Sequence, residues 1–416
     1  MNLRIQDFIL LWITLWALTE SLNAEETADS DFGQAELSLR QFVQGVLATN
    51  PRIKAARVAL TSDQALRDAQ TQSLYNPDID LQAERTDTLN GTVSISQQFD
   101  WNGKRRARTE VANSDLHYAE AEFQAFRRAF TADLLNGLVK YQIGQKRYDL
   151  VLERLQLMSN LVDRAQSRFD AGDISQIELD LVELAAMNVR IRSASLKADQ
   201  LQAREDVQLL TPHTDIAQWP VLSEEIPNLP SNVEPDIFLH QVPEVVMAQL
   251  SVKKNDSLIE LRRRERLPDP TVSLKGGQED EELLIGLNIK IPLFVRNSYK
   301  YEVEAVLAER NESQLIADDV KYRARIALNS SMENFHTLRT AWVDWQSTSE
   351  ESLSRPLDQL QRLWETGELS TADYVVQLTQ TLEVRESALD LNESLWQAWF
   401  RWLLASGQID VWLGVE

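Results

Sequence analysis

The stretch RFDAGDISQIELDL at residues 168–181 decides the fold, because LWETGELSTADYVV at residues 363–376 repeats its chemistry. When the two stretches are aligned, Gly172 matches Gly367 and most of the acidic positions coincide. A glycine at this place suits the left-handed backbone that often follows the last turn of a helix. Each stretch therefore predicts a tight turn between two helices.

The residues after each glycine predict the start of the second helix. Ser175 and Ser370 are typical N-cap residues, and Glu178 and Asp373 lie three residues later, in the arrangement of a capping box. An aspartate is the poorer capping-box acid because its side chain is shorter. The second turn is therefore predicted to be the less completely capped one.

The repeat extends beyond the turns. NPRIKAA at 50–56 parallels VPEVVMA at 242–248, and YNPDIDLQAE at 75–84 parallels LPDPTVSLKGG at 267–277. The offsets stay between 192 and 195 residues for all these landmarks, which indicates a duplicated chain.

The domain organisation follows from this duplication. Residues 1–24 have a short polar start, an apolar run and a small residue at the end, as in a secretory signal peptide. Five prolines between 211 and 236 predict a linker. The predicted units are a signal peptide at 1–24, a first repeat at 25–210, the linker at 211–236 and a second repeat at 237–416. In the first repeat, strands are predicted at about 77–100 and a helical hairpin at about 104–210. In the second repeat, strands are predicted at about 270–292 and a hairpin at about 298–404, followed by a C-terminal tail.

The segments that flank the turns predict very long helices. Between Arg105 and Phe169, apolar residues recur in steps of three and four, which is the pattern of a coiled-coil seam. Pro356 is expected to kink or divide the corresponding helix of the second repeat. After the turns, two apolar stripes are interpreted as core, one at Ile177, Leu181, Leu184 and Ile191, the other at Val375, Leu378, Leu382, Leu389, Trp396 and Trp399.

Four shorter runs alternate between apolar and polar residues. The clearest is ELLIGLNIKIP at 282–292, and TVSISQQF at 92–99 is similar. Alternation of this kind predicts strands, and their length approaches the roughly 9–11 residues that a tilted strand needs to cross a bilayer. Local pattern alone favours soluble hairpins on a globular domain; the predicted secretion of the chain and the long helices that follow the strands favour a membrane. Four strands are too few to close a barrel, so membrane insertion would require several copies of the chain.

Composition excludes several classes of protein. The 416 residues contain no cysteine, which rules out disulfides and thiolate metal sites, and the net charge of −22 disfavours nucleic-acid binding. The four histidines have no metal-ligand spacing, and no nucleophile elbow, phosphate loop or dinucleotide fingerprint is present. We therefore predict no enzyme, no cofactor and no metal site.

At this point the chain resembles the TolC-like outer-membrane factor family, the outer-membrane efflux proteins, and within it the CzcC-like cation-efflux branch. The resemblance rests on the duplicated strand–strand–helix–helix order, on the two glycine–serine turns, on FDWNGKRRAR at 99–108 and on IPLFVRN at 291–297. It covers about 38–410.

The resemblance implies an α+β membrane protein with long coiled-coil α-helical hairpins and four transmembrane β-strands per chain. Three chains would form a twelve-stranded β-barrel in the cell outer membrane and an α-helical tunnel in the periplasm. The implied partners are two further copies of the chain, a periplasmic adaptor (membrane fusion) protein, an inner-membrane pump of the resistance–nodulation–division (RND) type and outer-membrane lipid, with no nucleic acid. The implied function is passive export of divalent metal cations, with opening triggered by adaptor docking at the helical tips.

The resemblance also assigns candidate site residues. Glu178 and Asp373 correspond to carboxylates at the periplasmic aperture, where clustered acids attract cations. The adaptor-docking tips are Gly172, Asp173, Ile174 and Ser175 in the first repeat and Gly367, Glu368, Leu369 and Ser370 in the second, with Ile174 and Leu369 expected to be exposed. A basic membrane rim is expected at Lys104, Arg105, Arg106, Arg262, Arg263 and Arg264.

Other functions remain open at the level of sequence. A multidrug efflux channel and a channel for type I protein secretion would share the same architecture. A periplasmic adaptor or scaffold protein is less favoured, because it would need only one helical hairpin.

Overall fold

The computed structural model describes residues 34–85, 89–223, 225–230, 235–279 and 282–415. The predicted signal peptide lies outside the described residues. None of the helices in this part of the chain combines the length and the apolar character that crossing a bilayer requires.

The described chain is built from two similar halves. The first half contains α1 (Leu37–Thr49), α2 (Pro51–Thr71), β1 (Asp78–Arg85), β2 (Leu89–Gln98), α3 (Lys104–Asp170) and α4 (Gln176–Leu210). The second half contains α5 (Pro235–Leu239), α6 (Pro243–Glu265), β3 (Thr271–Glu279), β4 (Glu282–Lys290), α7 (Lys300–Glu365), α8 (Thr371–Ala405) and α9 (Ile409–Leu413). A short 3₁₀ turn, Ile216–Gln218, lies in the proline-rich connection between the halves.

The longest helices, α3 and α7, begin directly after the sheet. Helix α3 has 67 residues, which at a rise of 1.5 Å per residue gives a length of about 100 Å. Its first turn is capped by Asp100, whose two carboxylate oxygens accept hydrogen bonds from the backbone N–H groups of Lys104 (2.7 Å) and Arg105 (2.8 Å). Each half thus carries one very long helix from the strands to the turn.

Of the two outcomes expected at Pro356, a kink or a division of helix α7, the division is wrong. The helix is continuous over Lys300–Glu365, with the proline inside it. A proline removes one backbone donor, and the hydrogen bonds on either side can carry the helix across that position.

The four strands form one antiparallel sheet in the order β1-β2-β3-β4. The pairing of β2 with β3 joins the two halves, with Ile95 opposite Leu274 and Ser94 opposite Lys275. Strands β1 and β4 lie at the two edges of this sheet.

The helices also form a layer with two edges. Near the sheet the packing order is α2–α3–α6–α7, and toward the turns it is α4–α3–α8–α7. Helix α7 is therefore at one edge along its whole length, and α2 and α4 share the other edge.

Two apolar cores hold the layer together. The larger core gathers the end of α8, α9 and the middle of α3, and it contains the fully buried rings of Trp399, Trp402, Trp412, Phe400 and Phe335. The smaller core lies at the turns, where Leu179, Val182 and Ala186 of α4 pack with Trp364, Tyr374 and Leu378 of the second half.

One of the two predicted core stripes is wrong. On α4 the side chains of Ile177, Leu184 and Ile191 are exposed by 80%, 69% and 65%, and Leu181 is also exposed. The stripe that packs inside the chain is Leu179, Val182, Ala186 and Val189. Helix α4 carries two apolar stripes, and periodicity cannot tell which of them faces the same chain. The stripe predicted on α8 is confirmed, with Val375, Leu378, Leu382, Trp396 and Trp399 buried.

Candidate functional site: the hairpin tips and the sheet

The first tip closes with the hydrogen bonds that the sequence predicts. Gly172 has a φ of 81°, its N–H donates to the carbonyl of Phe169 (2.9 Å), and the N–H of Asp173 donates to the carbonyl of Arg168 (2.8 Å). These two hydrogen bonds form a Schellman motif, in which a residue with a side chain at position 172 would strain the backbone.

A complete capping box starts α4. The N–H of Glu178 donates to Ser175 Oγ (3.3 Å), and the N–H of Ser175 donates to Glu178 Oε2 (2.8 Å). The hydroxyl of Ser175 also donates to Glu178 Oε2 (2.9 Å). The two hydrogen bonds that the carboxylate accepts, first the one from the Ser175 backbone and then the one from its side chain, lower the pKa of the Glu178 carboxyl. The predicted capping role of Glu178 is confirmed, and the residue is charged at neutral pH.

The second tip repeats the turn with a weaker cap. Gly367 has a φ of 78°, and the N–H of Glu368 donates to the carbonyl of Leu363 (2.9 Å). The N–H of Asp373 donates to Ser370 Oγ (3.1 Å), and the hydroxyl of Ser370 donates to Asp373 Oδ2 (2.7 Å). The shorter acid makes no bond back to the N-cap N–H, as its length predicts.

The two tips touch each other through arginines of α3. The guanidinium of Arg168 lies 5.4 Å from the centre of the Trp364 ring and donates to the Trp364 carbonyl (3.1 Å). One turn away, Arg164 forms an ion pair with Glu365. The Trp364 ring stacks on Tyr374 with centres 5.2 Å apart, and its Nε1 donates to Thr371 Oγ1 (3.2 Å).

The structure places the predicted docking pair differently from the sequence analysis. Ile174 is buried, with 9% of its surface exposed, and packs into the core between the two hairpins, while Leu369 is partly buried. The expectation that this pair is exposed is wrong, because each turn folds its apolar residue against the neighbouring hairpin. The surface of the tips consists of Gly172, Asp173, Ser175, Gly367, Glu368 and Ser370.

More arginines of the first half meet acids of the second half further from the tips. Arg147 of α3 forms ion pairs with Asp390 and with Glu393 (2.7 Å) of α8. Arg192 of α4 donates through its Nε to Glu386 (3.0 Å). Together with Arg164 and Glu365, these contacts form a charged ladder that runs between the two hairpins.

At the sheet end of the long helices, three of the six residues of the predicted basic rim form ion pairs within the chain. Lys104 pairs with Asp269 (3.0 Å), and Arg262 pairs with Glu265 (2.7 Å). Arg264 pairs with Glu260 (2.8 Å) and also donates to the Asn102 and Gly103 carbonyls. Arg105, Arg106 and Arg263 are exposed.

A buried carboxylate ties the halves together beneath the sheet. Asp269 is 2% exposed, accepts a hydrogen bond from the Tyr75 hydroxyl (2.7 Å) and pairs with Lys104. Burial, followed by the hydrogen bond to Asp269, raises the pKa of Tyr75 to about 12.

The sheet has one apolar and one polar face. Rows of paired residues show the division: Ile79, Ile95, Leu274 and Leu287 lie on one face. Asp80, Ser94, Lys275 and Gly286 form the neighbouring row on the other face. The apolar residues of the first row are all exposed, so this chain alone does not bury the apolar face of its sheet.

Sequence reasoning missed the contacts between the hairpins. Arg164, Arg168, Trp364 and Tyr374 were not selected, because a pairing across 200 residues leaves no local pattern. The one available signal is Trp364 and Tyr374 themselves, since large rings on both sides of a turn are well placed to stack. Among the described residues, no three histidine, aspartate or glutamate side chains are arranged to hold a metal ion.

Comparison with known proteins agrees with this geometry. Residues 42–211 match the outer membrane efflux protein family. The cobalt-zinc-cadmium resistance protein CzcC of Cupriavidus metallidurans is 23% identical over 272 residues, which cover 63% of this chain and 65% of CzcC. The nickel and cobalt resistance protein CnrC of the same bacterium is 25% identical over 288 residues, 65% of this chain and 66% of CnrC. The chain thus spans just under two thirds of these relatives.

The fold is shared more widely than the sequence. The outer-membrane channel OprN superimposes with a TM-score of 0.77 over 92% of this chain and 94% of OprN, at 14% identity. OprN is an outer-membrane channel, and this chain shares its fold. The predicted resemblance is thereby confirmed: the chain has the fold of the TolC-like outer-membrane efflux channels, and its residues 42–211 match the outer membrane efflux protein family.

Proposed function

We propose that this chain is one of three identical subunits of an outer-membrane channel that exports divalent metal cations. The observation that carries the proposal is the two-faced sheet, which continues directly into helices of about 100 Å. An exposed apolar face suits lipid and an exposed polar face suits an aqueous lumen. Three copies would supply twelve strands and close the sheet into a barrel.

The edges of the molecule support the trimer. A single chain leaves β1 and β4 at the ends of its sheet and leaves the apolar stripe Ile177, Leu181, Leu184 and Ile191 of α4 on its surface. Exposed apolar stripes of this size mark protein interfaces. In a closed ring, the α4 edge of each copy would meet the α7 edge of the next.

The cargo is proposed from the relatives. CzcC and CnrC are both named as metal-resistance proteins. The energy for export would come from an RND-type pump in the inner membrane. Organic drugs and secreted proteins are the competing cargoes of the same architecture.

The tips are proposed as the adaptor-docking and gating region. Asp173 and Glu368 are exposed at the turns, and Glu178 and Asp373 add charge at the starts of α4 and α8. In the trimer these residues would form a negative ring that attracts cations. The exposed Arg105, Arg106 and Arg263 would contact lipid phosphates at the opposite end of the tunnel.

Deleting the gene tests the cargo. We expect the deletion strain to lose tolerance to cobalt, zinc, cadmium or nickel, and to keep its tolerance to organic drugs and its secreted proteins. Tolerance is measured as the lowest concentration that stops growth, with the plasmid-borne gene as the control. Unchanged metal tolerance together with drug sensitivity would assign the channel to organic cargo.

Planar-bilayer recordings test the gate. Replacing both acids, Glu178→Ala with Asp373→Ala, removes six carboxylates from the proposed ring of three chains, so block by divalent cations should weaken. The control is Glu265→Ala, which removes an acid near the sheet. Equal block in all three proteins would assign Glu178 and Asp373 to helix capping alone.

Site-specific crosslinking tests adaptor docking. A photoreactive residue in place of Asp173 or Glu368 should capture the adaptor in cells, whereas the same residue in place of Arg263 should not. Capture from Arg263 and not from the tips would place the adaptor elsewhere.

A further inference from the structure

The edges of the helical layer differ in charge near the sheet. Helix α2 at one edge carries four basic residues, Arg52, Lys54, Arg57 and Arg67, and two acids, Asp63 and Asp68. At the other edge, residues 302–319 of α7 carry six acids, Glu302, Glu304, Glu309, Glu312, Asp318 and Asp319, and one base, Arg310. Arg310 is paired inside the chain with Asp256 of α6 (3.1 Å). One edge is therefore basic and the opposite edge strongly acidic.

Both edges also present apolar side chains to the outside. On α2, Val58 and Leu66 are exposed by 67% and 59%, and Ala55, Ala65 and Ala69 lie on the same side of the helix. On α7, Leu315 and Tyr322 are exposed by 71% and 64%, and Ile326 continues their stripe. The alanines on α2 leave room for the large side chains on α7, which would favour close packing if the two edges met.

Contacts inside the chain show which residues of the two edges lie at the same height. Arg108 of α3 donates to Gln70 of α2 (3.0 Å), and Arg52 of α2 lies 5.9 Å from the ring of Phe126 of α3. Both helices advance by 18 residues between these two contacts. Position 63 of α2 is therefore about level with position 115 of α3.

The same reasoning connects α3 to α7 through α6. Lys254 of α6 pairs with Asp115 of α3 (2.7 Å), and the neighbouring Asn255 donates to Ser313 of α7 (2.7 Å). Position 313 of α7 is thus about level with position 63 of α2. Because α2 and α7 run in opposite directions, Leu315 comes level with Thr61 and Ser62, and Asp319 comes level with Arg57.

We propose that α7 of one copy packs against α2 of a second copy, with Leu315 beside Ser62 and with Lys54 and Arg57 paired to Asp318 and Asp319 across the seam. The inference rests on the proposed trimer and names the residues that join its subunits next to the membrane. Rotation about an axis along the tunnel keeps every residue at its height, so the level positions of one chain meet between copies. The opposite charges of the two edges fix the register and disfavour contact between like edges.

Cysteine crosslinking tests the seam directly, because the chain contains no cysteine of its own. Two helices, α3 and α6, separate α2 from α7 within one chain, so a bond between Ser62→Cys and Leu315→Cys must join two copies. We expect a short bismaleimide to convert this double variant into covalent dimers and trimers on a denaturing gel. The matched control pairs Ser62→Cys with Lys253→Cys, an exposed position of α6 at the height of Leu315.

Charge reversal tests the proposed register. Arg57→Glu in the crosslinking background should lower the yield of covalent trimer by up to roughly fivefold, the range of an exposed ion pair. Adding Asp319→Arg should restore the yield, while Lys253→Glu should leave it unchanged.

The mass of the uncrosslinked protein in detergent separates the two hypotheses. The proposed seam would be wrong, and the proposed trimer would stand, if a trimer crosslinked through both the control pair and the Ser62 and Leu315 pair, or through neither pair. A monomer would overturn the proposed trimer itself.

Discussion

Individual hydrogen bonds determine how firmly each hairpin tip is closed. Ser175 and Glu178 satisfy each other's backbone N–H groups, whereas Ser370 and Asp373 complete only one half of this exchange. The Schellman bonds at Gly172 and Gly367 are the same in both tips. The difference in capping therefore isolates the contribution of one acidic side chain.

Removal of the first N-cap should loosen the first tip. Ser175→Ala leaves the N–H groups at the start of α4 without their partner, which costs about 1 kcal/mol in typical helices. We expect faster amide hydrogen exchange at residues 176–179 in this variant, measured by mass spectrometry. Ser370→Ala serves as the comparison and should have the smaller effect, because its cap is already incomplete. Equal exchange in wild type and Ser175→Ala would contradict the importance of this cap.

The phenol of Tyr75 should make stability depend on alkaline pH. Its pKa is raised to about 12 in the folded chain, above the value near 10 of an unfolded tyrosine. Its contribution is therefore fully present below pH 10 and is lost as the pH rises toward 12. We expect the thermal unfolding temperature to fall more steeply between pH 9.5 and 11.5 in wild type than in Tyr75→Phe. Parallel curves for the two proteins would show that the bond to Asp269 does not contribute.

Helices and strands were predictable from the sequence to different degrees. The lengths of α3 and α7, the two turns and the strand pairs followed from periodicity, because each of these elements repeats its pattern many times. The choice between the two stripes of α4 did not follow, since Leu181 and Val182 are equally apolar and only packing separates them. Ile174 was misplaced for the same reason, because it is buried in an apolar core that both hairpins build.

The aromatic stack between the hairpins should be a main source of stability at the tips. Trp364 is 2% exposed and contacts Tyr374, Thr371 and Arg168. Replacing a buried tryptophan by alanine costs about 3–5 kcal/mol. We expect Trp364→Ala to expose both tips to limited proteolysis, with cleavage near residues 170–175 and 365–370. Trp101→Ala removes an exposed ring and should leave the cleavage pattern unchanged.

The whole molecule is organised by exposed faces that a single chain cannot cover. The sheet, the α4 stripe and the two charged edges all point to surroundings beyond one chain. Sequence reasoning anticipated the alternation of the strands. It could not show that the apolar rows of all four strands share one face, because this depends on the register between β2 and β3.

The two faces of the sheet should respond oppositely to charge. Val93 lies on the apolar face and its neighbour Ser94 on the polar face. A lysine that faces lipid near the middle of a membrane costs roughly 2–4 kcal/mol. We expect Val93→Lys to reduce the amount of protein in the outer-membrane fraction and Ser94→Lys to leave it unchanged. Loss of both variants from the membrane, or of neither, would contradict the assignment of faces.

The charged ladder between the hairpins makes the two similar halves of the chain unequal. The first half keeps Arg147, Arg164 and Arg192, and the second half keeps the acids that receive them. The aligned positions of the second half hold Trp342, Gln359 and Ser387, so neither half can substitute for the other. A ring of six identical half-length chains would lack these contacts, so the ladder needs both halves of the chain as a matched pair.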